Sequence, residues 1–119
     1  MKSLDLLKIA IKAADGKRAE DIVALNMEGI SLLADYFVMM TGSSERQLDA
    51  IVDAIEDAEE EAGLMVKKIE GKKGSRWILM DFGDLVINVF MPEERALYNL
   101  EKLWDEAPMV DVSEWLTEE

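Results

Sequence analysis

The sequence predicts a mixed α/β fold, a single β-sheet with helices packed on it. Three observations carry that expectation. Residues Trp77 to Phe90 read WILMDFGDLVINVF, two strand-like runs meeting at Gly83-Asp84. An Asp/Gly pair between apolar runs is a strong hairpin signal, because Gly accepts the positive φ of primed turns. Tyr36-Phe37-Val38-Met39-Met40 is continuously apolar, as in a strand covered on both faces and placed centrally in the sheet. From about Glu45 to Ala62, Leu48, Ile51, Val52, Ile55, Ala58 and Ala62 recur on one stripe, the period of a helix with one buried face.

In chain order, Ser3 is set to cap a helix with Leu4, Leu7, Ile11 and Ala14 at helical spacing and Gly16 as its stop. Lys17, Arg18, Glu20 and Asp21 form a solvated connection, Ile22 to Met27 a short strand, and Glu28-Gly29 its turn. After Thr41-Gly42-Ser43, Ser44 with Gln47 fits a capping box for the middle helix. Asp49, Asp53, Glu56, Asp57, Glu60 and Glu61 fall largely off its apolar stripe, and Gly63 ends it. Leu64 to Glu70 reads as a loosely alternating strand, and Gly71-Lys72-Lys73-Gly74-Ser75 as a basic loop.

A two-residue turn at Gly83-Asp84 pairs Phe82 with Leu85, Met80 with Ile87 and Ile78 with Val89, an all-apolar face that belongs to the core. The opposite face carries Asp81 against Val86, Leu79 against Asn88 and Trp77 against Phe90. That mixture suits a surface made to meet something. Met91-Pro92 opens the last helix, with Pro near its first turn. On that helix Ala96, Leu97, Leu100, Leu103 and Trp104 fall within roughly 120°. Tyr98 points nearly the opposite way, beside Arg95, Glu101 and Lys102. The stretch 105–119 has six acidic residues and no basic one, with Val110, Val112, Trp115 and Leu116 available for docking. The chain thus divides into one domain over residues 1–108 and an acidic tail over 109–119.

Composition narrows function. The 119 residues suffice for a single core, and half are hydrophobic. The net charge of −13, from 26 acidic and 13 basic residues, disfavours free nucleic acid or an anionic membrane as partner and favours a basic protein surface. With no Cys and no His, disulfides, thiol nucleophiles, Cys/His zinc sites and imidazole catalysis drop out. No apolar run approaches the roughly 20 residues of a membrane span, and the start reads as a capped helix rather than a signal peptide. A soluble cytoplasmic chain without a cofactor fits these features.

The candidate chemical motifs are thin. Gly42-Ser43-Ser44 enters a helix, where backbone N–H groups can hold phosphate, yet the Lys of a Walker loop and any G-x-G-x-x-G are missing. Nucleotidyl transferases place Gly-Ser similarly, followed by two carboxylates on an adjacent strand. Here that distance lands in the middle helix at Asp53 to Asp57, so the catalytic pair is absent. Asp81 and Asp84 bracket a turn with no third ligand nearby, which is turn chemistry rather than a metal pair. Trp77 suits a half-wet core position or a partner anchor equally.

Several stretches taken together resemble the ribosomal silencing factor family, also called Iojap-like. They are Asp35-Tyr36-Phe37-Val38, Thr41-Gly42-Ser43-Ser44-x-Arg46, Trp77 through Asp84, Leu85 through Phe90, and Tyr98-Asn99-Leu100-Glu101-Lys102-Leu103-Trp104. The resemblance implies a nucleotidyltransferase-like but catalytically inactive fold. It implies binding to the large ribosomal subunit through its protein number fourteen, sterically blocking the small subunit and repressing translation when nutrients are scarce. Trp77, Leu79 and Tyr98 would then be contact residues, with Asp81, Asp84, Glu101 and Lys102 as polar neighbours. Asn88 stands where the family usually carries His, and Asn does not titrate near neutral pH. Two other readings remain: a nucleotide-binding enzyme using Ser43 and Ser44, or a homodimeric interaction module with its seam at Trp77.

Overall fold

The apolar periodicities lead to a helix α1 (Ser3–Gly16), strands β1 (Glu20–Asn26) and β2 (Tyr36–Thr41), and a helix α2 (Glu45–Glu61). Strands β3 (Lys68–Glu70), β4 (Trp77–Asp81) and β5 (Leu85–Phe90) and a helix α3 (Pro92–Tyr98) follow, then a 3₁₀ turn at Ser113–Trp115. The computed structural model describes residues 3–30, 34–71, 75–98 and 107–116 of the chain. Among these, five strands make one mixed sheet in the order β1-β2-β5-β4-β3. Only the β2–β5 pair is parallel.

The hairpin register is the expected one, Trp77 facing Phe90, Leu79 facing Asn88 and Asp81 facing Val86. Gly83 turns it at φ 95° while Asp81 Oδ1 accepts the Gly83 N–H at 2.8 Å. Ile78, Met80, Phe82, Leu85, Ile87 and Val89 are all buried. With Tyr36, Val38 and Met40 of β2 they form the sheet face on which α1 and α2 lie. Strand β2 is interior and buried, as expected, but the middle position belongs to β5.

Ser44 Oγ accepts the Gln47 N–H at 3.1 Å. The reciprocal half of the box is displaced by one residue, because Gln47 Oε1 accepts from Ser43 N and Oγ at 2.6 and 2.7 Å. Gln47 Nε2 then reaches the carbonyls of Lys17 and Arg18 at 3.1 and 2.9 Å. One side chain thus caps α2 and ties it to the end of α1, which sets the two helices antiparallel.

Five expectations need correction. Leu4 is exposed, whereas Leu6 and Ala10, further apolar positions of the same wide arc, are buried beside Leu7, Ile11 and Ala14, because the buried arc of α1 is centred towards Ile11. Strand β1 begins at Glu20 instead of Ile22; an irregularity between Glu20 and Val23, with Asp21 at φ 48°, lets the solvated pair join the sheet. Strand β3 shrinks to Lys68–Glu70, all three exposed, since a loosely alternating edge offers little apolar area to bury. Ala96 is exposed rather than part of a buried stripe. On the outer face of the hairpin, Asn88 and Phe90 are fully buried, so that face is half core. Leu100, Leu103 and Trp104 lie outside the described residues.

The far sheet face gathers Leu25, Met27, Met39, Phe90 and Ala107, with Val23, Phe37 and Trp77 packed against them. Helix α3 is pinned there by Arg95, whose Nη1 donates to Thr41 Oγ1 at 2.9 Å and to the Asp21 carbonyl. Its guanidinium lies 6.0 Å from the centre of the Phe90 ring. The stretch 108–110 adds to the outer edge of β1: the Pro108 carbonyl accepts from Asn26 N, and Val110 N donates to the Ala24 carbonyl, both at 2.8 Å. Val112 is buried with the helices, and Trp115 and Leu116 pack against that cluster, so the tail docks through the apolar residues expected of it.

Glu59 is the anomaly of the fold. It falls on the stripe of α2 and is fully buried, and neither carboxylate oxygen has a hydrogen-bond partner. Burial raises its pKa from 4.5 to about 7. The folded state therefore holds a proton that the unfolded chain releases, and stability falls as pH rises from about 4.5 through about 7. The full penalty above that window is about 3 kcal/mol, at about 1.4 kcal/mol per pKa unit. Urea unfolding of wild type and Glu59→Gln is expected to show the variant more stable by about 2–3 kcal/mol near pH 8, with the gap closing towards pH 5. A gap independent of pH would sink the assignment.

Candidate partner-binding face

Alternation along β4 sends Ile78 and Met80 to the helical side and Trp77, Leu79 and Asp81 to the other. The three outward residues are half-buried. Beside them on the same face are Val86 and Phe37, also half-buried, and on the far side Lys68 and Glu70 of β3, both exposed. The apolar cluster that involves Ala107 lies towards β1, β2 and β5. The strip along β4 and β3 thus stays partly open to solvent, an apolar centre with a polar border.

Trp77 is held from two directions. Its ring lies 5.8 Å from Phe90, tilted by 34°, and its Nε1–H donates to Asn88 Oδ1 at 3.0 Å. Asn88 is fully buried and its Nδ2 has no partner, so the indole N–H satisfies the oxygen of an otherwise unmet amide. The register that the sequence predicted already put Trp77 and Asn88 on one face as diagonal neighbours. It also set Trp77 opposite Phe90, and the two rings meet in a tilted contact. Trp77 is half-buried, with one edge in the core and the other on the surface.

Trp77 and Leu79 join Glu70 and Gly71 around an open hollow of about 250 Å³. Gly71 adopts φ +108°, and a Cβ there would meet the Trp77 carbonyl oxygen at 2.8 Å; only glycine lets the chain pass so close to β4. Lys68 Nζ and Glu70 Oε1 pair at 3.0 Å along the border. Asp81 uses Oδ1 on the turn, as its residue type suggested. Exposed Asp84 offers its backbone carbonyl to Asp35 N and Tyr36 N at 2.8 and 3.1 Å, tying the hairpin tip to β2. Its carboxylate is separate from that role.

Tyr98 ends α3, and its side chain, like Glu101 and Lys102, lies outside the described residues. The structure therefore brings Trp77, Leu79 and Asp81 together on one strand, with Asp84 at the turn beyond. A further fixture went unpredicted. Arg76, just before β4, pairs Nε with Glu94 Oε1 at 2.6 Å and Nη2 with Glu93 Oε2 at 2.8 Å. The acidic first turn of α3 opposite a lone Arg was the available signal. This bracket holds the start of α3 against the start of β4, the two ends from which the candidate face is built.

Gly42-Ser43-Ser44 is committed elsewhere. Ser43 and Ser44 serve the α2 cap, and a Cβ on Gly42 would lie 2.6 Å from Leu48 Cδ1. The glycine is there for close helix packing.

A family model described as "Ribosomal silencing factor during starvation" matches residues 1–119. The chain is 54% identical over 112 residues to the ribosomal silencing factor RsfS of Bacillus subtilis, covering 94% of this chain and 95% of that protein. It is 36% identical over 91 residues to mouse "Mitochondrial assembly of ribosomal large subunit protein 1", covering 74% of this chain and 40% of the relative. A crystal structure of a Bacillus halodurans protein superposes with a TM-score of 0.81 at 47% identity, covering 92% of this chain and 99% of that one.

The Trp77–Asn88 bond makes its own prediction. Trp77→Phe keeps the ring contact but leaves the Asn88 amide without a donor, and is expected to cost about 1–3 kcal/mol in urea unfolding. Adding Asn88→Leu should recover most of that loss, since removing both polar groups ends the penalty of an unmet one. No recovery in the double variant would show that the indole stabilises by packing alone.

Proposed function

This chain belongs to the ribosomal silencing factor family, and we propose that it binds the large ribosomal subunit through the subunit's protein number fourteen. Bound at the face where the small subunit docks, it blocks joining sterically and lowers translation when nutrients are scarce. The observation that supports this reading most is the half-open strip of Trp77, Leu79 and Asp81, an apolar anchor with a polar border. Aromatic anchors with one buried edge are favoured hot spots, because little side-chain freedom is left to lose on binding. Tyr98 adds a second aromatic contact, with Asp81, Asp84, Glu101 and Lys102 as polar neighbours.

Charge supports the same partner class. A chain of net charge −13 is steered towards a basic protein and repelled by bare phosphate backbone. The name of the mouse relative associates that protein with assembly of the ribosomal large subunit. The action is steric and non-enzymatic, on a nucleotidyltransferase-like scaffold whose serines serve a helix cap. It needs no cofactor and belongs in the cytoplasm. The domain over 1–108 carries the binding face, and a homodimer through the same face would exchange for the ribosomal partner.

Co-sedimentation with purified large subunits tests the reading. Wild type is expected in the subunit pellet at moderate salt. Leu79→Asp, which alters a half-exposed position and leaves the Trp77–Asn88 bond in place, is expected to lose at least about tenfold in affinity, the scale of a hot-spot loss. Retention of the folded variant at wild-type level would mean that another surface makes the contact.

A further inference from the structure

Trp77 stands where the sheet is held least. The β3–β4 ladder stops at the Glu70–Leu79 pair, so among the described residues the Trp77 end of β4 is laddered to β5 alone. On that side Trp77–Phe90 is the last pair. Strand ends open before strand centres, because fewer contacts are lost when they do. Phe90 is secure, being fully buried and paired on its other side with Thr41 of β2. The weak point is the start of β4, the backbone that aims the indole.

Arg76 meets that weak point directly. Its carbonyl accepts the Met91 N–H at 2.9 Å, one step past the final pair. Its guanidinium reaches Glu94 and Glu93 of α3 at 2.6 and 2.8 Å, and Glu45 of α2 at 4.0 Å. The acidic first turns of two helices thus meet at one cation beside the anchor. Exposed ion pairs contribute little singly, but a network built on a forked guanidinium is the exception. The partners are unequal: the Glu93 side chain is 83% exposed, whereas Glu94 is 20% exposed and nearest. Glu94 therefore carries most of the attraction.

We propose that Arg76 and Glu94 are positioning residues for partner binding: their ion pair keeps the start of β4 closed and so holds the Trp77 indole in its binding orientation. The inference rests on the reading of Trp77 as the partner anchor and deepens it, adding two residues that act through the anchor. When the end of β4 opens, the indole N–H leaves Asn88 and the ring leaves Phe90. Restoring both is an ordering cost that binding must then meet. The bracket removes that cost in advance.

Hydrogen exchange of the Trp77 indole N–H, assigned with Trp77→Phe, reads local opening in the free chain, and the slowest backbone amides of β5 read global unfolding. Arg76→Gln and Glu94→Gln are each expected to speed the indole about fivefold relative to those amides, the scale of a networked pair. A merely destabilising change would move both equally. The double variant should show no more than either single change, since the one bracket is already broken. An unchanged ratio, or additive losses, would overturn the proposal. Co-sedimentation reads the consequence: both single variants are expected to bind large subunits about fivefold more weakly. The two shift net charge in opposite directions, so altered steering cannot account for a shared loss. Wild-type affinity in a variant with a loosened indole would also overturn the proposal. A wild type that fails to bind large subunits counts against the large-subunit reading, while the exchange ratio still decides the bracket.

Discussion

The parallel pairing of β2 with β5 is the constraint on which the rest of the structure depends. Tyr36–Thr41 and Leu85–Phe90 run side by side, residue for residue, and ten of these twelve residues are buried. Parallel strands cannot be joined by a tight turn, so the chain between them must cross over. Here the crossover contains α2, β3 and β4, and β4 returns beside β5 with β3 beyond it at the edge. Two interior strands buried on both sides also require cover on both sides. Helices α1 and α2 provide it on one face; on the other, among the described residues, Arg95 of α3 and Ala107 lie against the strands.

The asymmetry of that cover produces the candidate face. Arg95 draws α3 towards β2 through Thr41 and Phe90, and Arg76 anchors the start of the helix. Neither reaches the strip along β4 and β3. Among the described residues, the half-exposed margin of this face falls where Trp77 and Leu79 stand. The indole is made rigid by Asn88 and Phe90 before any partner arrives. That is the condition under which an exposed aromatic edge contributes affinity instead of losing it to side-chain entropy.

The sequence was most legible where local rules and long-range packing agree. The hairpin register follows from alternation plus a glycine that must take positive φ, and both are written in fourteen consecutive residues. The order of elements was likewise readable from changes of period. Legibility failed where a tertiary neighbour decides. Strand β3 is short because its apolar residues lack cover, and a pattern of residues does not reveal cover. Glu59 occupies a stripe position that periodicity assigns to the core, and its charge obscured that assignment. Gln47 served Ser43 in place of Ser44 because the end of α1 lies within its reach. Of the proposed contact residues, those on β4 were placed by alternation alone.

The bridge that residues 108–110 make to β1 has a consequence for how the chain comes into being. It closes the outer edge of β1, so a strand made early waits for a segment made much later. Contacts between such distant parts of a chain form late, because the intervening loop must be closed first. During synthesis, which runs from the N-terminus, β1 can pair with β2 while its other edge still presents unmatched N–H and C=O groups. A nascent or prematurely ended chain therefore displays an adhesive strand that the finished one conceals. The same closing segment carries Asp111 and Glu114 on its exposed side, so the finished edge repels its own kind instead of recruiting it.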